Sequence, residues 1–199
     1  MIVRIPYDKF VRKPDDPIEH TILEERQDKM SAAVVDSPKN EQAAAWWFLD
    51  LLVVEHRCAP GMETVVLEMT LPVGSAPPLH VHDSLDDTWY ILDGEMVVRC
   101  GNDTQHVGAG HWVSMPRGVP HNFRVVGDHD ARILLVHDNA SFRDLIRDLG
   151  VPAGAHIVPT QPIFPPMDEL ARVAGAHDLT PIGPPMSAEE AGAVLAPAH

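Results

Sequence analysis

Apolar and polar positions change rhythm twice along this chain. Residues 1–42 are polar, carry Pro6, Pro14, Pro17 and Pro38, and hold only short apolar clusters such as Ile2-Val3 and Ile22-Leu23, which reads as an arm. From Trp46 the apolar residues come in short runs separated by glycine, proline and aspartate, the pattern of strands and tight turns. It predicts strands over 46–54, 64–71, 79–82, 88–92, 95–100, 112–115, 121–126 and 133–137. Asp93-Gly94, Gly101-Asn102-Asp103 and Gly108 to Gly110 read as hairpin-type junctions, and Pro116-Arg117-Gly118 as a tight turn. Strands this short and regular suggest an all-β body, a closed antiparallel barrel or jelly roll that leaves few edges exposed.

Beyond residue 138 the period becomes helical. Ser141 can cap a helix whose stripe is Phe142, Leu145, Ile146 and Leu149, with Gly150 and Pro152 ending it. A proline-rich connector over 158–166 leads to a second stripe of Met167, Leu170, Ala171 and Ala174. Gly183-Pro184-Pro185 reads as a break, and Ser187 with Glu190 has capping-box spacing. The expected organisation is an arm (1–42), a β-barrel (43–138) and a helical extension packed on it (139–199), one domain overall.

Composition narrows the function. With 199 residues, 45% of them hydrophobic, the chain can bury a substantial core. Its formal net charge of -14 argues against nucleic acid or an anionic membrane as partner, since both reward clustered lysine and arginine. The 2 cysteines, Cys58 and Cys100, are too few for a disulfide scaffold, and no signal sequence opens the chain, so a reduced, cytoplasmic protein is expected. Trp46-Trp47-Phe48 suits core or a dimer interface, and a homodimer is the expected assembly.

The candidate chemistry lies in the barrel. His80 and His82, one residue apart on a strand, point to the same face and can hold one ion together. His121 follows the Pro116-Arg117-Gly118 turn, and Asp87 opens the next apolar run, giving a mixed nitrogen and oxygen donor set. Asp86 falls on the opposite face from Asp87 and reads as a solvated charge. His137 ends a strand and reads as a hydrogen-bonded rim residue, and His111 as a surface turn. Trp89 shares a face with Asp87, and Phe123 with His121. The same alternation sends Ile91 and Val125 inward, so these four are expected to line a substrate pocket.

The spacings Gly74, His80, His82, Asp87, Gly94 and Gly110, Pro116, Gly118, His121 resemble the two motifs of the cupin superfamily. Aspartate stands here where that family has glutamate, and Val125 where it often has asparagine. The tail resembles that of single-barrel cupins of the quercetin-dioxygenase-like kind. The resemblance implies a cupin-type barrel binding one divalent metal ion (iron, nickel, manganese, copper or zinc) through His80, His82, His121 and Asp87. It also implies that Asp87 can act as a catalytic base toward bound substrate. Asp87 is a methylene shorter than glutamate, so a site of three histidines completed by water stays open as an alternative.

Three imidazoles and one carboxylate leave coordination positions free for substrate or dioxygen, as metal-assisted oxidation requires. The expected function is dioxygenase-like oxidation of a small aromatic or hydrophobic molecule. Non-redox isomerisation or cyclisation, and non-catalytic binding of a small molecule, are the alternatives.

Overall fold

A computed structural model describes residues 43–56, 58 and 62–196; the expected arm, 1–42, lies outside them. In chain order the strands of the body are β1 (Ala45–Phe48), β2 (Leu51–His56), β3 (Val65–Leu71), β4 (Pro78–Val81), β5 (Asp87–Asp93), β6 (Glu95–Cys100), β7 (Asp103–Gly108), β8 (Trp112–Met115), β9 (His121–Val126) and β10 (Ala131–His137). Then come α1 (Ser141–Leu149), β11 (Val151–Pro152), α2 (Met167–Ala176), β12 (Thr180–Pro185) and α3 (Ala188–Leu195). The strands form a seven-stranded sheet, β11-β1-β2-β3-β10-β5-β8, and a five-stranded sheet, β12-β4-β9-β6-β7. Both are antiparallel, and together they make the jelly-roll barrel.

Period-two burial builds the interior. Val65, Leu67, Met69 and Leu71 of β3 are buried, as are Ala131, Ile133, Leu135 and His137 of β10. On β5 the inward row is Asp87, Trp89, Ile91, and on β9 it is His121, Phe123, Val125. Polar groups therefore begin β5 and β9 and end the antiparallel β10, which brings them to one end of the barrel. The rest of each row is apolar. Burying one such side chain is worth about 1.5–3 kcal/mol, so this row sets the register and the polar end follows.

Several expectations need correction. The run 46–54 is two strands, because Phe48 pairs with Leu51 and Leu49 takes a left-handed φ of 58° in the turn between them. The uninterrupted apolar sequence hides that turn. Asp93-Gly94 is a corner, not a hairpin: β5 and β6 belong to different sheets. The same holds for Gly108 to Gly110, which joins β7 to β8, whereas Gly101-Asn102 does close a hairpin, with Cys100 opposite Asp103. Strand β7 itself was not among the expected runs, since its side chains are mostly polar and exposed.

The extension is not purely helical. Ser141 is the first residue of α1 rather than its cap, and Asn139 Oδ1 accepts the Ser141 N–H at 3.0 Å. Pro152 lies in β11, paired with Trp46 of β1. The segment Gly183-Pro184-Pro185, expected as a break, is part of β12, which pairs with β4. Its register shifts after Pro181 and Gly183, and it sits at the sheet edge, the position that tolerates prolines without a donor N–H. The capping box of Ser187 and Glu190 forms as expected at the start of α3. No described helix is long and apolar enough to cross a membrane.

Candidate metal centre

His80 pairs directly with His121 across β4 and β9, and His82 follows on the same face as His80. The three ring centroids lie 4.5, 5.1 and 5.4 Å apart. Each imidazole is oriented by a backbone carbonyl that accepts from its Nδ1: Pro78 O for His80 at 2.8 Å, Val119 O for His121 at 2.8 Å, and Asp178 O for His82 at 2.6 Å. With the proton on Nδ1, each ring turns an unprotonated Nε2 to the centre. This is how second partners fix metal-ligating histidines.

Asp87 completes the set. One donor atom from each of His80, His82, Asp87 and His121 lies within 4.8 Å of the others, and all four residues are buried. Atoms bound about 2.1 Å from a common ion stand roughly 3 to 4.2 Å apart, so the cluster is on the scale of a coordination shell. His121 Nε2 is buried without a hydrogen-bond partner and lies 3.6 Å from Asp87 Oδ2. An orphaned lone pair aimed at a carboxylate is what a cation between them would satisfy. The residues fit a divalent metal ion, and the shorter aspartate reaches the cluster.

The electrostatics prepare the same state. Burial, with help from neighbouring His121, lowers the His80 imidazole to about 4, and burial lowers His82 as well, so both are neutral near pH 7. Burial alone would push the Asp87 carboxyl up, but the His121 and His137 imidazoles beside it outweigh burial and hold it well below the usual carboxylate range. Neutral imidazoles and an ionised carboxylate are the forms that bind a metal.

A cavity of about 370 Å³ opens from this centre. His80, His82, Asp87 and His137 mark its polar end; the remaining wall is mostly apolar, with Leu135, Phe142, Trp89 and Phe123 among it, and no lysine or arginine among the described residues lines it. The extension contributes Phe164, Met167, Leu170 and Leu179 to its wall. Trp89 and Phe123 meet edge to face at 5.1 Å across the two sheets. Ile91 and Val125, expected in the pocket, are buried one inward position further along the same strands and belong to the core rather than to the cavity wall.

Near the cluster, one residue differs from its sequence reading and a second has none. His137 is not at the rim: it is 2% exposed, and its Nε2 lies 2.8 Å from Asp87 Oδ1. Alternation from Ile133 and Leu135 carried that signal. Asp178, near the far end of the chain, orients His82, and its carboxylate also accepts from the N–H groups of Asp83 and Ser84 at 2.9 Å. Nothing in its sequence context marks it. Asp86 is exposed as expected and binds Arg117 through both oxygens, at 3.1 and 3.0 Å. That pair ties the turn before His121 to the start of β5.

The chain is similar to several known proteins. A family model described as a cupin domain matches residues 67–137. Quercetin 2,3-dioxygenase of Bacillus subtilis is 24% identical over 162 residues, which are 81% of this chain and 48% of that protein. An uncharacterized protein of Methanocaldococcus jannaschii is 30% identical over 74 residues, 37% of this chain and 59% of that one. The chain thus spans about half the length of these curated relatives. Among solved structures, a predicted oxalate decarboxylase from Thermotoga maritima aligns with a TM-score of 0.47 at 22% identity, covering 54% of this chain and 99% of that one. Residues 67–137 thus form a cupin domain.

Proposed function

We propose that this protein is a metal-dependent, dioxygenase-like oxidoreductase acting on a small aromatic or otherwise apolar molecule that carries an oxygen-bearing head group. The observation that carries the reading is a three-histidine, one-carboxylate cluster placed at the polar end of an otherwise apolar cavity. The quercetin 2,3-dioxygenase relative supports the reaction class. A divalent ion, when bound, supplies Lewis-acid polarisation of a substrate oxygen and, where it is redox-active, electron transfer to dioxygen.

The protein's own contribution is orientation and exclusion of water. His80, His82, His121 and Asp87 hold the ion, while Trp89, Phe123, Leu135 and Phe142 hold the apolar body of the substrate. Phe164, Met167 and Leu170 from the extension add apolar surface at the outer part of the cavity. One carboxylate beside a divalent ion leaves net positive charge, which favours an anionic oxygen such as a phenolate at that end. Asp87 serves in this reading as a ligand. The His121 and His137 imidazoles keep its carboxylate ionised, the form that a ligand needs and that a base toward bound substrate would also need.

Metal analysis of protein purified without added metal, followed by oxygen-uptake assays of the iron, nickel, manganese and copper forms against flavonols and related phenols, tests this. Uptake matched to substrate loss is expected, and its absence with all four metals overturns the dioxygenase reading for these substrates. Anaerobic turnover by a zinc form would instead support a non-redox isomerase or cyclase. Ligand binding that survives loss of His80 and His121 would support a binding protein without catalysis.

A further inference from the structure

The two oxygens of Asp87 keep different company. Oδ1 accepts from the indole Nε1 of Trp89 at 2.5 Å and from His137 Nε2 at 2.8 Å, and all three side chains are buried. Oδ2 takes neither of these bonds and lies 3.6 Å from the orphaned Nε2 of His121. We propose that Trp89 and His137 are positioning residues that clamp Asp87 by Oδ1 and so make it a one-oxygen ligand through Oδ2. The proposal rests on the metal-centre reading above.

The clamp answers a specific weakness. Carboxylates bind metals through one oxygen or through both, and two-oxygen binding occupies a further coordination position that a substrate would need. A free aspartate side chain does not distinguish its two oxygens. Here the distinction comes from donors on two strands: Trp89 lies two residues along β5 on the same face, and His137 projects from the neighbouring β10. The indole N–H can only donate, so the carboxylate cannot lose this partner to a competing role of the ring. His137 Nδ1 has no hydrogen-bond partner, so its ring is set by Asp87 and by an edge contact with Phe142 at 5.8 Å. Hydrogen bonds of this kind behind a ligand are commonly worth 10- to 100-fold in metal affinity.

The test compares Trp89→Phe, His137→Leu, the double variant and His137→Gln, whose side-chain amide keeps a donor near the position of Nε2. Cobalt(II) affinity is measured by chelator competition, the cobalt absorption spectrum reports coordination, and thermal unfolding of the metal-free proteins checks folding. Trp89→Phe and His137→Leu are each expected to bind about 10-fold more weakly, with a changed spectrum, and the double variant more weakly still. His137→Gln is expected to recover most of the affinity. Wild-type affinity and spectrum in Trp89→Phe overturn the clamp even if His137→Leu fails to fold. A His137→Gln protein as weak as His137→Leu would assign the loss to packing and overturn the role of His137. Failure of the unmodified protein to bind cobalt would overturn the metal-centre reading itself, and Asp87→Asn at wild-type affinity would remove Asp87 from the shell.

Discussion

His82 donates from Nδ1 to the main-chain carbonyl of Asp178, 96 residues further along the chain. The end of β4, with His80 and His82 of the cluster, and the segment that leads into β12 are thereby joined at one imidazole. Asp178 holds a left-handed φ of 62°, and its carboxylate gathers the N–H groups of Asp83 and Ser84 and the Ser84 hydroxyl at 2.6 Å. Burial would raise the Asp178 carboxyl, yet these contacts with Ser84 and Asp83 outweigh it and keep the group ionised.

Asp178→Ala removes the carboxylate that accepts from Asp83 and Ser84, keeps the main-chain carbonyl that faces His82, and leaves a residue of poorer left-handed propensity at φ 62°, at a cost of about 1–3 kcal/mol. The consequence should be read at the metal as well as in stability. The variant is expected to lose about 10-fold in metal affinity and to exchange amide hydrogens faster over Thr180–Pro185. Asp178→Asn, which tolerates the same φ and keeps one acceptor oxygen, should fall between the two. Unchanged affinity and unchanged exchange in Asp178→Ala would show that the carboxylate contacts with Asp83 and Ser84 do not help hold the Asp178 carbonyl against His82.

His121 gives the sharpest test of occupancy, because its Nε2 is buried without a partner. A ligand that binds only the folded state stabilises it by about 2.7 kcal/mol at a hundredfold excess over its dissociation constant. Zinc, cobalt or iron(II) should therefore raise the unfolding temperature of the chelator-treated protein, and His121→Ala should abolish that rise. An equal rise in His121→Ala would place the binding elsewhere.

Most of this cluster could be read from spacing, because its members lie on strands or, for His82, one residue past the end of β4, where the alternation still holds. His80, His82, Asp87 and His121 come together as the period-two pattern requires. The pattern says which face a side chain takes but not how deep the cavity runs. That is why Ile91 and Val125 fall in the core while Trp89 and Phe123, one layer nearer the ligands, line the wall. Sheet membership was also hidden. Asp93-Gly94 has the composition of a hairpin, and only the pairing of β5 with β10 and of β6 with β9 shows it to be a corner. Asp178 and the proline-bearing β12 were out of reach because their roles rest on long-range pairing that leaves no local periodicity.

The corner at Gly94 makes a clean prediction about the scaffold. Gly94 has φ of +78°, and a Cβ there would meet the Ala131 Cα at 2.6 Å and the Asp130 carbonyl at 3.0 Å, both backbone atoms that cannot yield cheaply. Gly94→Ala therefore combines left-handed strain with a clash between the β5–β6 corner and the start of β10. A loss of at least ~2 kcal/mol is expected, seen as a lower urea midpoint with an unchanged slope. A loss below ~0.5 kcal/mol would mean that the corner relaxes freely.

The buried histidines set the direction of the acid response. His80 has a folded-state value of about 4 against an ordinary value of 6.5, so between those pH values the unfolded chain takes up a proton that the folded site refuses. Stability of the metal-free protein is therefore full above pH 6.5, declines as pH falls toward about 4, and receives no further penalty from this group below that. A shift of this size corresponds to something on the order of 3 kcal/mol. His82, also lowered by burial, acts in the same direction. Asp87, held down by His121 and His137 against its burial, adds a loss that begins only below its ordinary value of 3.8. Thermal unfolding of chelator-treated protein should thus show a midpoint that climbs from pH 4 to 6.5 and then levels. Replacing His80 with Gln, which cannot titrate, should flatten that climb. A midpoint independent of pH across this window would mean that His80 is protonated as readily in the folded barrel as in water and would overturn its lowered value.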